Sequence, residues 1–85
     1  MRTHTFRHGK YDIEEANGLY GLCDVPSDSK KLRMIVLEGN TRLALNNSIH
    51  EMMHAEGVPD GLVHDMTPDR IADALWRMGW RRCEI

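Results

Sequence analysis

Eighty-five residues, 13 acidic and 11 basic, with a formal net charge of −2, suffice for one domain, residues 1–85, and exclude a two-domain enzyme with a dinucleotide fold. With 41% hydrophobic and 28% charged residues the chain is ordinary globular material rather than a disordered segment, and its negative balance argues against nucleic acid as a partner. A chain this short buries only about 60–65% of the surface its unfolded form exposes, so a staple is expected: a disulfide, a metal or a second copy in a homodimer.

Cys23 and Cys83 lie far apart and have no CxxC spacing. They read as free thiols in a reducing compartment. Met1–Lys10 has no apolar core of a secretion signal, and no run approaches the roughly 18 apolar residues of a membrane span. A cytoplasmic protein with no membrane partner is expected.

In chain order, residues 3–15 hold the strand formers Thr3, Thr5, Phe6, Tyr11 and Ile13 around His8-Gly9-Lys10, which suggests a strand or a ragged hairpin arm. Residues 14–18 form a polar break. The apolar run Leu19–Val25, the turn Pro26–Lys31 and the strand Leu32–Glu38 together predict an antiparallel hairpin. Gly39-Asn40-Thr41 stops that strand and offers Thr41 as a helix N-cap. Leu45, Ile49, Met52 and Met53 then form one helical stripe, ending near Glu56 with Gly57 as the C-cap residue. Residues 58–66 read as a loop, or a loop with a short turn. Thr67-Pro68-Asp69 predicts a second helix with Thr67 as N-cap and Ile71, Leu75 and Met78 as its apolar stripe. The expected plan is α+β: a short antiparallel sheet of about three strands, followed by two packed helices.

The first helix carries His50-Glu51-Met52-Met53-His54, the pattern HExxH. Two His four apart project from one helix face, a turn from each other, and can converge on one Zn²⁺ at about 2.0–2.1 Å. Glu51 is turned away from that line by a third of a turn. It is placed to act as a general base on a water that the metal acidifies. An open zinc site needs a third protein ligand from downstream. His64 is the best donor type. Asp60, Asp65 and Asp69 are the alternatives.

Asp60 completes HExxHxxGxxD, which resembles the extended metzincin motif with an Asp third ligand. Asp69 with Asp73 gives DxxxD, which resembles the acidic pattern of the gluzincins, although those use Glu. More broadly, Leu19-Tyr20-Gly21-Leu22-Cys23-Asp24, a strand, the HExxH helix and Ala74-Leu75-Trp76-Arg77-Met78-Gly79-Trp80-Arg81 resemble small zincin-like proteins of bacteriophages and prophages, SprT-like or minimal-gluzincin in character. The resemblance spans roughly residues 19–82. It implies a zincin-like metallopeptidase domain with His50 and His54 as zinc ligands and Glu51 as base. It favours His64, because the SprT-type third ligand is a His on the following helix. It also implies a peptide or protein substrate extended along an edge strand beside the HExxH helix, a role for which Leu32–Glu38 is the candidate.

Other residues have plainer readings. Met52, Met53 and Met66 are core fillers. Trp76 and Trp80 pack a core or shape a groove. Asp73 is an exposed helical acid or a partner that orients a ligand His. Tyr20 packs or stabilises an oxyanion. Two functions stand against each other. One is a zinc peptidase. The other is a non-catalytic, zinc-stabilised interaction or regulatory module of a phage or mobile element, with four protein ligands closing the metal site.

Overall fold

The computed structural model describes residues 2–17, 21–26 and 31–82. Its elements are β1 (Arg2–Phe6), β2 (Gly9–Ala16), β3 (Leu22–Cys23), β4 (Leu32–Leu37), α1 (Arg42–Ala55), α2 (Asp60–Val63) and α3 (Thr67–Arg77). The four strands make one mixed sheet in the order β1-β2-β4-β3. β1 and β2 form an antiparallel hairpin turning at Arg7-His8, so residues 3–15 are two strands rather than one. β3 pairs antiparallel with β4 through Leu22↔Ile35 and Cys23↔Met34, as the predicted hairpin requires. Leu19, Tyr20 and most of the turn lie outside the described residues.

The expected three-strand antiparallel sheet needs correction. β2 and β4 run parallel, in register from Tyr11↔Leu32 to Ala16↔Leu37. The β1–β2 hairpin contributes two strands instead of one, and the chain between β2 and β4 crosses back and adds β3 at the edge. β4 therefore lies inside the sheet, which explains its consecutive apolar residues: Met34 and Val36 are buried, and Leu32, Ile35 and Leu37 are half-buried. It also removes Leu32–Glu38 as a substrate edge. Among the described residues the edge on that side of the sheet is β3.

Thr41 caps α1 as predicted, its Oγ1 accepting from the Ala44 amide at 3.1 Å. The helix stops at Gly57, which holds a left-handed φ of +80°. The face of α1 against the sheet is Ala44, Glu51 and Ala55, all buried, at i, i+7 and i+11. Ala55 joins Tyr11, Met34 and Val36 in the core. The apolar stripe seen in sequence is a different face: Leu45, Ile49 and Met53 are half-buried, and Met52 is exposed. α3 packs beside α1 through Arg42–Asp73 at 3.3 Å and through Asn46, which donates to Asp69. Asp73 also pairs with Arg77 at 3.0 Å.

A third helix joins the two expected ones: the stretch 58–66, read as a loop or a loop with a short turn, contains the single-turn α2. The cap of α3 also moves. Thr67 is already helical, and its amide donates to Asp65 Oδ1 at 2.7 Å. Among the described residues no helix is long and apolar enough to cross a membrane.

Candidate metal centre and its cleft

Three histidines meet where α1 passes α2. His50 and His54 project from one flank of α1, and His64 stands at the C-terminal end of α2. One ring nitrogen from each lies within 4.8 Å of the other two. His50 Nε2 and His54 Nε2 are 3.2 Å apart. Two nitrogens bound tetrahedrally at about 2.0–2.1 Å stand about 3.3 Å apart, so the donor set and its spacing fit a zinc-sized ion. Burial, helped by the neighbouring imidazoles of His54 and His64, pushes the pKa of His50 below the usual histidine value, while Asp69 works against the shift. A neutral ring is the form that binds a metal.

The carboxylates expected to compete for the third place are engaged elsewhere. Asp65 Oδ1 accepts the Thr67 amide, which lowers its pKa. Asp69 accepts from Asn46. Asp60 Oδ1 lies 3.6 Å from His54 Nδ1, on the ring nitrogen away from His50. It is placed behind His54 rather than beside it. Asp73 is held between Arg42 and Arg77 and does not orient a histidine of the cluster.

Glu51 is 5% exposed, although its two sequence neighbours His50 and Met52 are not buried. It faces the sheet side of α1, where burial raises its pKa and the charge of His64 partly opposes the rise. Gly21, just before β3, makes this possible. A Cβ at Gly21 would come within 2.7 Å of Asn47 Nδ2 and closer still to Glu51 Oε2. Asn47 lies one turn before Glu51 and accepts the Leu37 amide at 2.8 Å, which ties α1 to the end of β4. Gly21 and Asn47 were not read as site residues from sequence. The only signal available was the i−4 spacing of Asn47 from Glu51. Tyr20 lies outside the described residues.

The three histidines and Glu51 open into a cleft of about 470 Å³. β3 forms one wall with Leu22 and Cys23, and Val58-Pro59 forms another. His8 also reaches it from the β1–β2 turn, which is fastened to the end of α1: His8 N donates to Ala55 O at 3.0 Å, and Arg7 N to Glu56 Oε1 at 2.8 Å. Cys23 is a free thiol, and burial raises its pKa. No family model, curated protein or solved structure matches the chain, so the case for a function rests on this site.

Proposed function

We propose that the chain is a metal-dependent peptidase of zincin type, in which His50, His54 and His64 hold one divalent ion, zinc by donor chemistry, and Glu51 is the general base. The observation that carries the proposal is the pairing of three converging imidazoles with a buried carboxylate one residue from the first of them. His50, His54 and His64 would hold the zinc, which would supply Lewis acidity to a water and to a peptide carbonyl.

The protein's own part begins at Glu51, whose carboxylate takes a proton from the attacking water and passes it to the departing amine. Asp60, facing Nδ1 of His54, favours the tautomer that leaves Nε2 free for the metal. Among the described residues β3 is the edge strand beside the cleft, which supports an extended substrate adding to the sheet there.

A closed, purely structural metal site is the alternative. Against it stands the composition of the converging set, three histidines and no carboxylate among the described residues. A hydroxamate that binds stoichiometrically to the zinc-loaded protein excludes the closed site. The decisive variant is Glu51→Gln. It is expected to keep one zinc per chain and to cleave unfolded casein about 10²- to 10⁴-fold more slowly. Cleavage at the wild-type rate would overturn the assignment of Glu51.

A further inference from the structure

α1 has a second flank. At 100° per residue, the line of Leu45, Ser48 and Met52 lies nearly opposite the line of His50 and His54. These residues line a groove of about 340 Å³, closed by Val36 of the sheet and by Trp76 and Trp80. Its volume falls in the range of small-molecule sites, about 300–1,000 Å³.

The charges around the groove are lopsided. Among the described residues lining it, the charged ones are Arg2, Arg81, Arg82 and a single acid, Glu15. Glu15 is shared, pairing with Arg82 and more distantly, at 3.9 Å, with Arg2. Arg81 sits over the Trp76 ring, its guanidinium carbon 3.3 Å from the centroid, and its Nη1 donates to the carbonyls of Trp76 and Trp80 at 2.8 and 2.9 Å. Its charge is therefore met by a ring face and two neutral oxygens. Among the described residues, three cations against one anion give an apolar groove with an excess positive rim.

We propose that this groove is a binding site for a small amphipathic carboxylate: an apolar body against Leu45, Met52 and the tryptophans, and an anionic head at the arginines. The site is distinct from the histidine cluster and does not depend on the function proposed for it. A guanidinium already held over Trp76 and by two carbonyls loses little side-chain freedom on meeting a carboxylate, which favours this head group.

The chain has two tryptophans, and both line the groove, so intrinsic fluorescence reports its occupancy. Decanoate, below its self-association range, is expected to change the emission saturably. Decanol, with the same body and no charge, is expected to bind at least about tenfold more weakly. Arg2→Gln combined with Arg81→Gln, both on exposed side chains, should weaken decanoate by a similar factor while leaving decanol unchanged. Ser48→Phe should abolish the response by filling the groove. If that variant does not fold, the arginine pair still decides.

Equal binding of decanol and decanoate would overturn the proposal, as would an undiminished response in natively folded Ser48→Phe. A wild-type emission that ignores decanoate would also overturn it. So would an emission that shifts with protein concentration alone, which would mark the groove as a contact between two copies.

Discussion

Glu51 is the one charged side chain buried among the described residues. A carboxylate out of water is costly unless something is gained from it, and its position depends on the missing side chain at Gly21. Gly21→Ala would push a methyl group into the Glu51 carboxylate and the Asn47 amide. Zinc content should stay near one per chain, because none of the three histidines is touched. The rate of casein cleavage should fall by more than tenfold, because the base is displaced. Retained cleavage in Gly21→Ala would detach Glu51's placement from its chemistry.

Tyr11 makes a residue-scale claim about stability. It is fully buried, its ring edge-on to Phe6 at a centroid distance of 5.8 Å, and its hydroxyl donates to Asp24 O at 2.7 Å. Burial first, then the thiol of Cys23 and the charge of Asp24, push its pKa from 10.0 to about 12. Between those values the unfolded chain has released the phenolic proton and the folded chain still holds it. The native state then binds more protons, and stability falls as pH rises from about 10 to about 12. At 1.36 kcal/mol per unit the full loss is on the order of 3 kcal/mol. Urea unfolding of wild type and Tyr11→Phe across this range should show a steeper decline in wild type. Lysines titrate there too, but they are common to both proteins and cancel in the difference. Parallel slopes would mean that Tyr11 ionises as freely in the fold as outside it.

At the scale of elements, the N-cap of α1 is the simplest link between sequence and site, since the helix that it starts carries His50, Glu51 and His54. Thr41→Ala removes the acceptor for the Ala44 amide and should cost about 1 kcal/mol, or roughly 4–8 °C in melting temperature for a domain of this size. For α3 the order of effects should run against the sequence pattern. Asp65→Ala, which strips the acceptor from the Thr67 amide, should lower the melting temperature more than Thr67→Ala, with zinc content unchanged.

The elements that were legible in sequence were those with local causes. These include the Thr41 cap, the Gly57 stop and the HExxH spacing, each fixed by residues within a turn of one another. The β3–β4 pairing was legible too, because the turn-forming residues of Pro26–Lys31 separate two apolar runs in the sequence. The parallel pairing of β2 with β4 was not. It joins strands separated by β3 and leaves no local mark except the continuous apolar run of β4, which fits burial of either kind. The sheet-facing stripe of α1 was hidden for a different reason. It consists of two alanines and a glutamate, and hydrophobic periodicity gives such residues little weight. His64 was one of four candidates in sequence. What set it apart was the turn of α2, which places its ring 5.0 and 5.2 Å, centroid to centroid, from His50 and His54.

For the whole molecule, small size makes the histidine cluster a question of stability as well as chemistry. Among the described residues the fully buried large side chains are Tyr11, Met34 and Val63, a thin core for a chain that must hold α1, α2 and α3 in place. Two of the clustered histidines belong to α1 and one to the end of α2, so an ion bound there would clamp the connection between α1 and α3 from a point outside that core. A ligand that binds only the folded state adds about 2.7 kcal/mol at a hundred times its dissociation constant. On a domain this size that corresponds to a rise of roughly 10–20 °C in melting temperature. Thermal melts followed by circular dichroism should therefore climb with added zinc and fall back with chelator. His64→Ala should lose most of the climb while melting near wild type in chelator, because its side chain is exposed and the core does not use it. His54→Ala should behave in the same way towards zinc. A melting temperature indifferent to zinc in wild type would leave the three rings without a metal to hold, and the proposed peptidase would fall with them.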